Sequence, residues 1–514
     1  MAKISEIMQN FIMSSPKRAI WFMKTMKAGF WEKKGQKMAL EVFHQATEKV
    51  PAYQDFLKKQ GVDPSAIKTL EDFQEKVPLM TKKNYLSQYS LAELSQEEIK
   101  KETFGMCFTS GTTSVPLGML IYKKSFPLAL RGFINYLHYL WDIYSPSKSI
   151  LFMNGLALGP WLAGFFVNLS VAKEVEKHNF TLVTPGSDPT MMVEILEKIG
   201  RNYEEIIIIC YSSVLRAFFE EGEKRKINWK EFNIKILTGG EVFPSTFRET
   251  FFSKIDPSLK KNPWRIVEVF ATSDASILGY ETPLTILIKE LLNKRKELCL
   301  KIFDKEKIEN LFQYNSLSVF LEEKGEKVCV TKPGVIPLIR YQIGDLGKMI
   351  SFETMKEILA KEGYNIDDLL KKASWQKGYF KWPFFAFLGR GDDMIAIYSG
   401  AKIYSQNLFS LLEKPEAKEI KSFKISTQVD ENQNKRFVVY LELKSDLKFS
   451  QEESIKSEQK YQKLIHEQLL KTNIDYKDAY RLNPKIVLPI VKIFPFSGGP
   501  FKEDKNRQKP KLVI

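Results

Sequence analysis

A run of hydroxyl side chains and glycines in residues 109–118 is the segment of this chain best suited to hold a ligand. It consists of Thr109, Ser110, Gly111, Thr112, Thr113, Ser114, Val115, Pro116, Leu117 and Gly118, between two apolar stretches that are typical of strands. Glycines let a backbone approach a ligand closely, their N–H groups can line an anion-binding concavity, and hydroxyl groups add donors with little bulk. The loop is not of the Walker type, because no Gly-Lys-Ser/Thr follows its glycines. We expect it to grip a triphosphate; a Ser/Thr-rich hairpin loop is the structural alternative.

Further polar residues follow predicted strands in the middle of the chain. Residues 206–211 and 234–238 are apolar runs typical of strands that are covered on both faces. Helical segments separate them from each other and from a third strand over 265–270. This order predicts parallel pairing with right-handed crossovers, and ligands of such sheets bind beyond the carboxyl ends of the strands. Glu241, Ser273 and Asp274 are therefore expected to converge.

Five segments together resemble the adenylate-forming superfamily, which comprises acyl-CoA synthetases, luciferases and peptide-synthetase adenylation domains. The hydroxyl loop resembles the phosphate-binding signature of that family. Residues 237–241, 267–274, 339–345 and 387–395 are similar, in this order, to its adenine-binding turn, its aromatic-Gly-x-Thr/Ser-Glu motif, its Tyr-Arg-x-Gly-Asp motif and its hinge. Residues 50–53, 68–73 and 77–82 resemble the opening of the phenylacetate–CoA ligase-like branch. The resemblance extends from about Pro51 to the C-terminus.

The resemblance implies a fold and a division of the chain. The expected fold class is α/β, with a large N-terminal adenylate-forming domain of several subdomains with mixed and parallel sheets, and a small α+β C-terminal domain. Residues 1–389 would bind ATP and the acyl group, and residues 390–514 would form a mobile domain. In the family the small domain rotates about the residue that corresponds to Asp392, so that one pose adenylates the acid and the other admits a thiol.

The resemblance also implies site residues and cofactors. The phosphates would be gripped by Thr109, Ser110, Gly111, Thr112 and Thr113, and the nucleotide site would further include Gly239, Gly240, Glu241, Phe270 and Ser273. Asp345 would accept hydrogen bonds from the ribose hydroxyls. Asp274 would hold Mg²⁺, because a hard cation prefers carboxylate oxygen. Arg390 would contact phosphate or the ribose edge, and a lysine of the small domain, best matched by Lys509, would approach the α-phosphate. The implied cofactors are ATP, Mg²⁺ and coenzyme A.

The chain departs from the family pattern at several positions. Ser114, Val115 and Pro116 stand where the family usually has Gly-Lys-Pro, Ala271 replaces a glycine, and Asp274 replaces a glutamate. The C-terminal lysine lacks its usual Gly-Lys-x-x-Arg context, and the alternatives to Lys509 are Lys502, Lys505 and Lys511. Structural alternatives also stay open for three residues: Asp345 as the cap of a turn, Arg390 as a surface ion pair and Asp274 as a helix N-terminal acid.

Composition limits the partners of the protein. The net charge of +15 comes mostly from lysines that are spread along the chain, whereas a nucleic-acid-binding protein would concentrate them in a patch. We therefore predict no nucleic-acid partner, and a surface with some attraction for ATP or CoA. The partners we expect are a carboxylic acid and an acyl acceptor, and a homodimer is a possible assembly.

The cysteines and the N-terminus indicate a cytoplasmic protein. Cys107, Cys210, Cys299 and Cys329 are far apart and form no Cys-x-x-Cys pair, so neither a zinc ribbon nor a disulfide framework is predicted. The N-terminus shows no basic start followed by an apolar run and a cleavage site, so we expect no signal peptide.

One uncharged stretch, which starts at Ser149, is long enough to raise the question of a membrane span. Gly155, Gly159 and Pro160 interrupt it, which favours a buried strand, a turn and a buried helix that starts near Pro160. No stable membrane insertion is therefore expected. The family resemblance places this region at the acyl pocket, and its aromatic residues indicate an apolar or aryl acid, with core packing as the alternative: Phe152, Trp161, Phe165 and Phe166. An amphipathic N-terminal helix near residues 11–26 is expected to dock on the protein, or else to touch a membrane surface.

These observations predict an AMP-forming ligase, which would activate a carboxylic acid as an acyl-adenylate and transfer the acyl group to CoA. One alternative is transfer to an amine, a hydroxyl or a carrier-protein thiol, since residues 110–114 and 271–274 also resemble auxin–amino acid conjugating enzymes. Another is a non-catalytic relative that binds a nucleotide or an acyl group. A serine hydrolase is not expected, because the chain has no Gly-x-Ser-x-Gly sequence.

Overall fold

The structure of the protein is a computed structural model. The structure describes residues 11–96, 101, 103–108, 118–123, 126–240, 245–391, 394–405, 407–408, 411, 415–432, 434–444, 447, 449–506 and 513.

An eleven-stranded mixed sheet forms the centre of the molecule. A separate antiparallel pair precedes it in the chain: β1 (Thr103–Phe108) and β2 (Gly118–Tyr122). The strands of the large sheet are, in chain order, β3 (Ile150–Gly155), β4 (Phe180–Val183), β5 (Glu205–Cys210), β6 (Ile234–Gly239), β7 (Ile266–Thr272), β8 (Ser276–Tyr280), β9 (Asn310–Gln313), β10 (Phe320–Lys324), β11 (Lys327–Lys332), β12 (Leu338–Ile350) and β13 (Phe384–Arg390). Their spatial order is β10-β11-β12-β13-β9-β8-β7-β6-β5-β3-β4.

Two smaller sheets follow in the C-terminal part of the chain. A two-stranded sheet consists of β14 (Met394–Ala396) and β15 (Lys402–Tyr404). A three-stranded sheet consists of β16 (Ile420–Val429), β17 (Lys435–Leu443) and β18 (Ile490–Phe494). Helices pack with the latter, so this part has the α+β organisation that the sequence predicts.

The α-helices of the described residues cover both faces of the large sheet and complete the small one. Those up to the middle of the chain are α1 (Pro16–Thr25), α2 (Ala28–Lys49), α3 (Pro51–Lys59), α4 (Leu70–Lys76), α5 (Leu91–Leu94), α6 (Phe126–Trp141), α7 (Leu162–Val175), α8 (Pro189–Ile199), α9 (Ser212–Lys224) and α10 (Ser245–Ile255). The rest are α11 (Pro283–Lys294), α12 (Lys296–Phe303), α13 (Phe352–Lys361), α14 (Ile366–Lys372), α15 (Gln451–Thr472), α16 (Ile474–Leu482) and α17 (Pro484–Val487).

The parallel core of the sheet forms where the sequence predicts it. β3, β4, β5, β6 and β7 pair in parallel, and every residue of β3 and β5 is buried. Such strands need apolar side chains on both faces because helices cover them from both sides. The carboxyl ends of β5, β6 and β7 consequently lie side by side.

Antiparallel strands extend this core in one direction. β12 has 13 residues and pairs with β11 on one side and β13 on the other. In the second pairing Asp345 lies opposite Arg390, so the segment that resembles the Tyr-Arg-x-Gly-Asp motif lies beside the segment that resembles the hinge. The backbone N–H of Gly391 donates to the carbonyl of Gly344 at 2.8 Å, which continues this contact past the strand end.

The uncharged stretch is divided as predicted. It forms the buried strand β3, a turn and helix α7, and none of the described helices is both long and apolar enough to cross a membrane. Helix α1 docks on the body of the protein through Ala19 and Met23, while the Trp21 side chain stays 62% exposed. All four cysteines lie in the described part of the chain, where they are buried and form no disulfide.

Candidate active site

A cavity of about 270 Å³ lies beyond the carboxyl ends of β5, β6 and β7. Its walls come from these strands, from α7 and from the C-terminal part of the chain. The residues expected in a nucleotide site that line it are Gly239, Gly240, Phe270, Ser273 and Asp345. The structure therefore brings together residues that are up to 106 positions apart in sequence.

Gly239 and Gly240 allow a close approach of the backbone at the end of β6. Gly239 pairs with Val269, and a Cβ atom at Gly239 would lie 3.0 Å from the Val269 carbonyl oxygen. Gly240 has a φ of +77°, a left-handed conformation in which other residues are strained. Neighbouring residues thus pack closely against both glycines: Val269 against Gly239 and the Tyr211 ring against Gly240.

Asp345 is one of two acidic residues that the large sheet places in the cavity wall. It lies near the middle of β12, only 2% exposed, and its backbone pairs with that of Arg390. A buried carboxylate in such a wall is suited to accept hydrogen bonds from hydroxyl groups of a ligand.

A tight turn between β7 and β8 carries Ser273 and Asp274. Thr272 pairs with Ser276 across this turn, and the Thr272 hydroxyl accepts a hydrogen bond from the Ala275 N–H at 3.1 Å. The Lys332 ammonium donates to the Ala275 carbonyl at 2.7 Å, and burial lowers the pKa of Lys332 to about 8. Lys332 thus ties this turn to the end of β11.

Asp274 is the candidate magnesium ligand, and it lies beside the cavity rather than among its lining residues. Its Oδ2 atom accepts a hydrogen bond from the Tyr341 hydroxyl at 2.7 Å, and the side chain is partly exposed. In the described part of the chain, His, Cys, Asp and Glu residues form no cluster of three or more that could hold a metal alone. This donor set fits Mg²⁺, which is commonly held by one or two carboxylates together with substrate phosphates.

The end of the cavity on the β3 side is apolar. It is formed by buried side chains from α6, α7, β5 and β6 and from the residue that follows β3: Phe133, Phe166, Val167, Ile209, Leu237 and Leu156. Phe133 and Phe166 pack edge to face with 5.5 Å between ring centroids. Such a wall favours an apolar group over a charged one.

Two of the aromatic residues expected at the acyl pocket lie elsewhere. Phe152 is fully buried against Phe180, with ring centroids 5.1 Å apart. It shares a face of the sheet with Ile209 but lies further from the carboxyl ends of the strands. Phe165 faces Phe104, since it lies on the side of α7 that turns away from the cavity. Trp161 and Phe166 do line the cavity.

Glu268 is a cavity residue that the sequence does not single out. It is 6% exposed, and the Asn310 side-chain amide donates to its Oε2 atom at 2.5 Å. Burial and the neighbouring Glu281 carboxylate raise the pKa of Glu268 to about 8. Glu281 itself accepts a hydrogen bond from the Arg248 guanidinium at 2.6 Å. At neutral pH the Glu268 carboxyl is therefore mostly protonated.

The C-terminal part of the chain supplies the remaining wall. The turn between β14 and β15 brings Ser399, Gly400, Ala401 and Lys402 to the cavity. Opposite this turn, Tyr211 follows β5 and also lines the cavity. No motif in the sequence marks Tyr211, because its importance depends on a contact between distant segments.

Several predicted residues lie outside the described residues. They are Thr109, Ser110, Gly111, Thr112, Thr113, Glu241, Asp392 and Lys509. For Arg390 the structure describes the backbone in β13 but not the side chain. The two segments that flank the hydroxyl loop are strands, as the sequence predicts, and they pair antiparallel.

Solved structures of 2-hydroxyisobutyryl-CoA ligase share this fold. The complex with 2-HIB-AMP and CoA in the thioesterification state superposes with a TM-score of 0.59 at 15% sequence identity, over 96% of this chain and 91% of that one. An open conformation with the same ligands gives a TM-score of 0.52 at 14% identity, over 96% and 93% of the two chains. The postadenylation state with 2-HIB-AMP gives 0.52 at 14% identity, over 96% and 91%. The fold class predicted from the sequence is thereby confirmed.

Sequence comparisons identify no relative. No protein-family model matches the chain, and no curated protein matches it.

Proposed function

We propose that this protein is an AMP-forming acid–thiol ligase of the adenylate-forming superfamily. The observation that carries the proposal is the single cavity in which Gly239, Gly240, Phe270 and Asp345 meet an apolar pocket. One end of this cavity offers backbone and carboxylate groups, and the other offers only hydrocarbon walls. An acyl-adenylate has the same two halves, a polar nucleotide and an acyl group.

In the first half-reaction, the carboxylate of the acid would attack the α-phosphate of ATP and expel pyrophosphate. Two anions must be held in line for this step, so positioning and neutralisation of charge are the main tasks of the protein. The strand end at Gly239 and Gly240 would admit the adenine against Phe270, and Asp345 would accept the ribose hydroxyls. Mg²⁺ held at Asp274 would neutralise phosphate charge.

We propose roles for further residues at the end of the cavity that would bind the nucleotide. The hydroxyl loop of residues 109–113 would grip the phosphates, Glu241 and Ser273 would complete the nucleotide site, Arg390 would contact phosphate or ribose, and Lys509 would approach the α-phosphate. We also propose that residues 1–389 bind the substrates, and that residues 390–514 rotate about Asp392 between the two half-reactions.

In the second half-reaction, a thiol would attack the carbonyl carbon of the acyl-adenylate, so that the thioester forms and AMP leaves. We propose CoA as the thiol, with the wall made by residues 399–402 next to the reacting carbonyl. The 2-hydroxyisobutyryl-CoA ligase of the same fold binds 2-HIB-AMP and CoA, which supports this choice of acceptor.

The acid we propose is an apolar or aryl monocarboxylic acid, as in the phenylacetate–CoA ligase-like branch. Phe133 and Phe166 close the apolar end of the cavity, and neither can pair with a charged or hydroxyl substituent. The four buried cysteines, which form no disulfide in the described chain, support our further proposal that the protein works in the cytoplasm.

The test is pyrophosphate release from Mg-ATP with a panel of aryl, fatty, hydroxy and dicarboxylic acids, each with and without CoA. We expect release with aryl or fatty acids and a thioester product, detected by mass, only when CoA is present. Pyrophosphate release with an acid but without a thioester product would indicate that the acyl acceptor is an amine, a hydroxyl or a carrier-protein thiol. ATP binding without release for any acid would instead indicate a non-catalytic relative.

The acyl end has its own test. Phe166→Leu enlarges that end, so it should raise the preference for bulkier acids over small ones several-fold in kcat/KM. Phe219→Leu is the matched control, because Phe219 is equally buried in α9 but does not line the cavity. An unchanged ranking of acids in Phe166→Leu would contradict the placement of the acyl group.

A further inference from the structure

The Tyr211 ring lies between two glycines that are distant in sequence. A Cβ atom at Gly240 would lie 3.0 Å from Tyr211 Cε1, and one at Gly400 would lie 2.9 Å from the same atom. Both glycines also have left-handed backbones, with φ of +77° and +73°. The ring therefore fits between the end of β6 and the β14–β15 turn only because both neighbours lack a side chain.

A hydrogen bond joins the same two regions. The backbone N–H of Ser399 donates to the Ser213 hydroxyl at 2.8 Å, although the two residues are 186 positions apart. Ser399 has a φ of +60°, which is unusual for a residue other than glycine. The contact with Ser213, in the first turn of α9, is one reason why the turn can hold this conformation.

The C-terminal side of this contact is itself anchored. The Asn473 side-chain amide donates to the Lys402 carbonyl at 2.8 Å, and the Ile397 N–H donates to the Ala401 carbonyl at 2.8 Å. The turn of residues 398–402 is thus a preformed unit that docks on the residues after β5. Since Tyr211, Ser399 and Lys402 all line the cavity, this docking closes the cavity on one side.

We infer that Ser213 and Tyr211 are positioning residues for the acyl-transfer step, because they seat the turn of residues 398–402 in the pose that admits the thiol. The inference rests on the proposed function. Ser213 does not line the cavity, and it reaches the cavity wall through its hydrogen bond with the turn.

The two half-reactions test this role separately. Acid-dependent pyrophosphate release in a single turnover without CoA reports adenylation, and thioester formation on mixing preformed acyl-adenylate enzyme with CoA reports transfer. Ser213→Ala should slow transfer about tenfold and leave adenylation at the wild-type rate, since it removes the acceptor of the Ser399 N–H. Ser213→Thr keeps a hydroxyl and should restore transfer. Ser253→Ala, which removes an exposed hydroxyl of α10, is the matched control.

Two results would overturn the inference. One is transfer at the wild-type rate in Ser213→Ala, and the other is an equal loss in both half-reactions, as a general structural defect would give. If wild-type protein releases no pyrophosphate with any acid, the proposed function fails instead.

A cross-link tests the contact without any activity. The 2.8 Å between Ser399 N and Ser213 Oγ keeps the two Cα atoms within about 7 Å, near the outer limit for a disulfide. The double variant Ser213→Cys/Ser399→Cys should form the disulfide under mild oxidation, while either single variant should not. The native cysteines are buried, so they should not interfere. Absence of the cross-link in the double variant would show that the turn does not dock at Ser213.

Discussion

Two walls of the cavity are built in different ways. The sheet wall, formed by the ends of β6 and β7 and by β12, is fixed residue by residue through the pairing of an eleven-stranded sheet. The hairpin wall, formed by residues 398–402, is supported by β14 and β15, which have only three residues each. It packs against Tyr211 and Ser213, which follow β5. Under the proposed function, the nucleotide stays bound through both half-reactions, which needs a rigid wall. The thiol enters only for the second half-reaction, which needs a wall that can move. The following predictions separate their contributions, from the largest expected effect to the smallest.

Arg340→Ala should have the largest effect, on the stability of the sheet wall. The Arg340 guanidinium is 3% exposed and donates to Glu322 at 2.6 Å and to the Val77 carbonyl at 2.6 Å. Removal of one partner of a buried pair leaves the other charge uncompensated, so the free energy of unfolding should fall by about 3–5 kcal/mol. Urea unfolding measures it. Arg201→Ala, in the exposed pair with Glu231, should cost about 1 kcal/mol or less, and equal losses would show that β12 is not held in this way.

Asp345→Ala should have the next largest effect, on catalysis. Loss of hydrogen bonds to a charged group costs about 1.5–3 kcal/mol, so kcat/KM for adenylation should fall by about 100-fold. Pyrophosphate release at varied ATP concentration measures this, with an unchanged melting temperature as the control for folding. Asp63→Ala, on an exposed turn, is the matched variant and should leave the rate unchanged. If Asp345→Ala shows a normal dependence on ATP concentration, the sheet wall does not form part of the nucleotide site.

Gly240→Ala and Gly400→Ala compare the two walls on the same tyrosine ring. Each adds a methyl group near Tyr211 Cε1 and a left-handed alanine, which costs roughly 1–2 kcal/mol. At Gly240 the strand end cannot move, so the cost should appear as a lower melting temperature. At Gly400 the hairpin can undock, so the melting temperature should change less while thioester formation slows. Scanning calorimetry and the transfer assay together measure both, and equal melting temperatures would contradict the difference between the walls.

Glu268→Gln should have the smallest effect, on the pH dependence of stability. Because burial and Glu281 raise the Glu268 pKa from 4.5 to about 8, the folded protein keeps a proton that the unfolded chain releases. This contribution is fully present below pH 4.5 and is lost as the pH rises through about 8. Wild-type protein should therefore lose roughly 1–3 °C more in Tm between pH 6 and 9 than Glu268→Gln does. Exposed Glu48→Gln should follow wild type, and parallel curves for Glu268→Gln would show that Glu268 is ionised throughout.

The sequence predicts the sheet wall well because its information is local. Glycines at a strand end, a buried β-branched run and a strand–helix–strand order each follow from neighbouring residues, and they place Gly239, Gly240 and Phe270 at one edge. The position of Asp345 beside Arg390 needs in addition the pairing of two distant strands, which here only the resemblance implied.

The hairpin wall and the buried charges are not predictable in this way. Nothing in the sequence distinguishes Ser213 from other serines. Its role depends on the 2.8 Å hydrogen bond between its hydroxyl and the Ser399 N–H, which no local pattern encodes. Glu268 alternates with valines as in a half-exposed strand, yet Asn310 from β9 and Glu281 from beyond β8 enclose it. Phe152 and Phe165 show the reverse case, in which an aromatic segment indicates a pocket but neither residue lines the cavity. Phe152 lies too far from the carboxyl ends of the strands, and Phe165 packs against Phe104.

The two ends of the eleven-stranded sheet bear on self-association. An unpaired strand edge can bind another copy of the protein and start an aggregate. At one end β4 has only four residues, too few to template a long pairing. At the other end β10 includes Glu322, Glu323 and Lys324, and charged side chains on an outer strand oppose the addition of a further strand. The sheet that holds the cavity is therefore closed to growth at both edges, which would let this lysine-rich protein accumulate in a crowded solution without forming fibres.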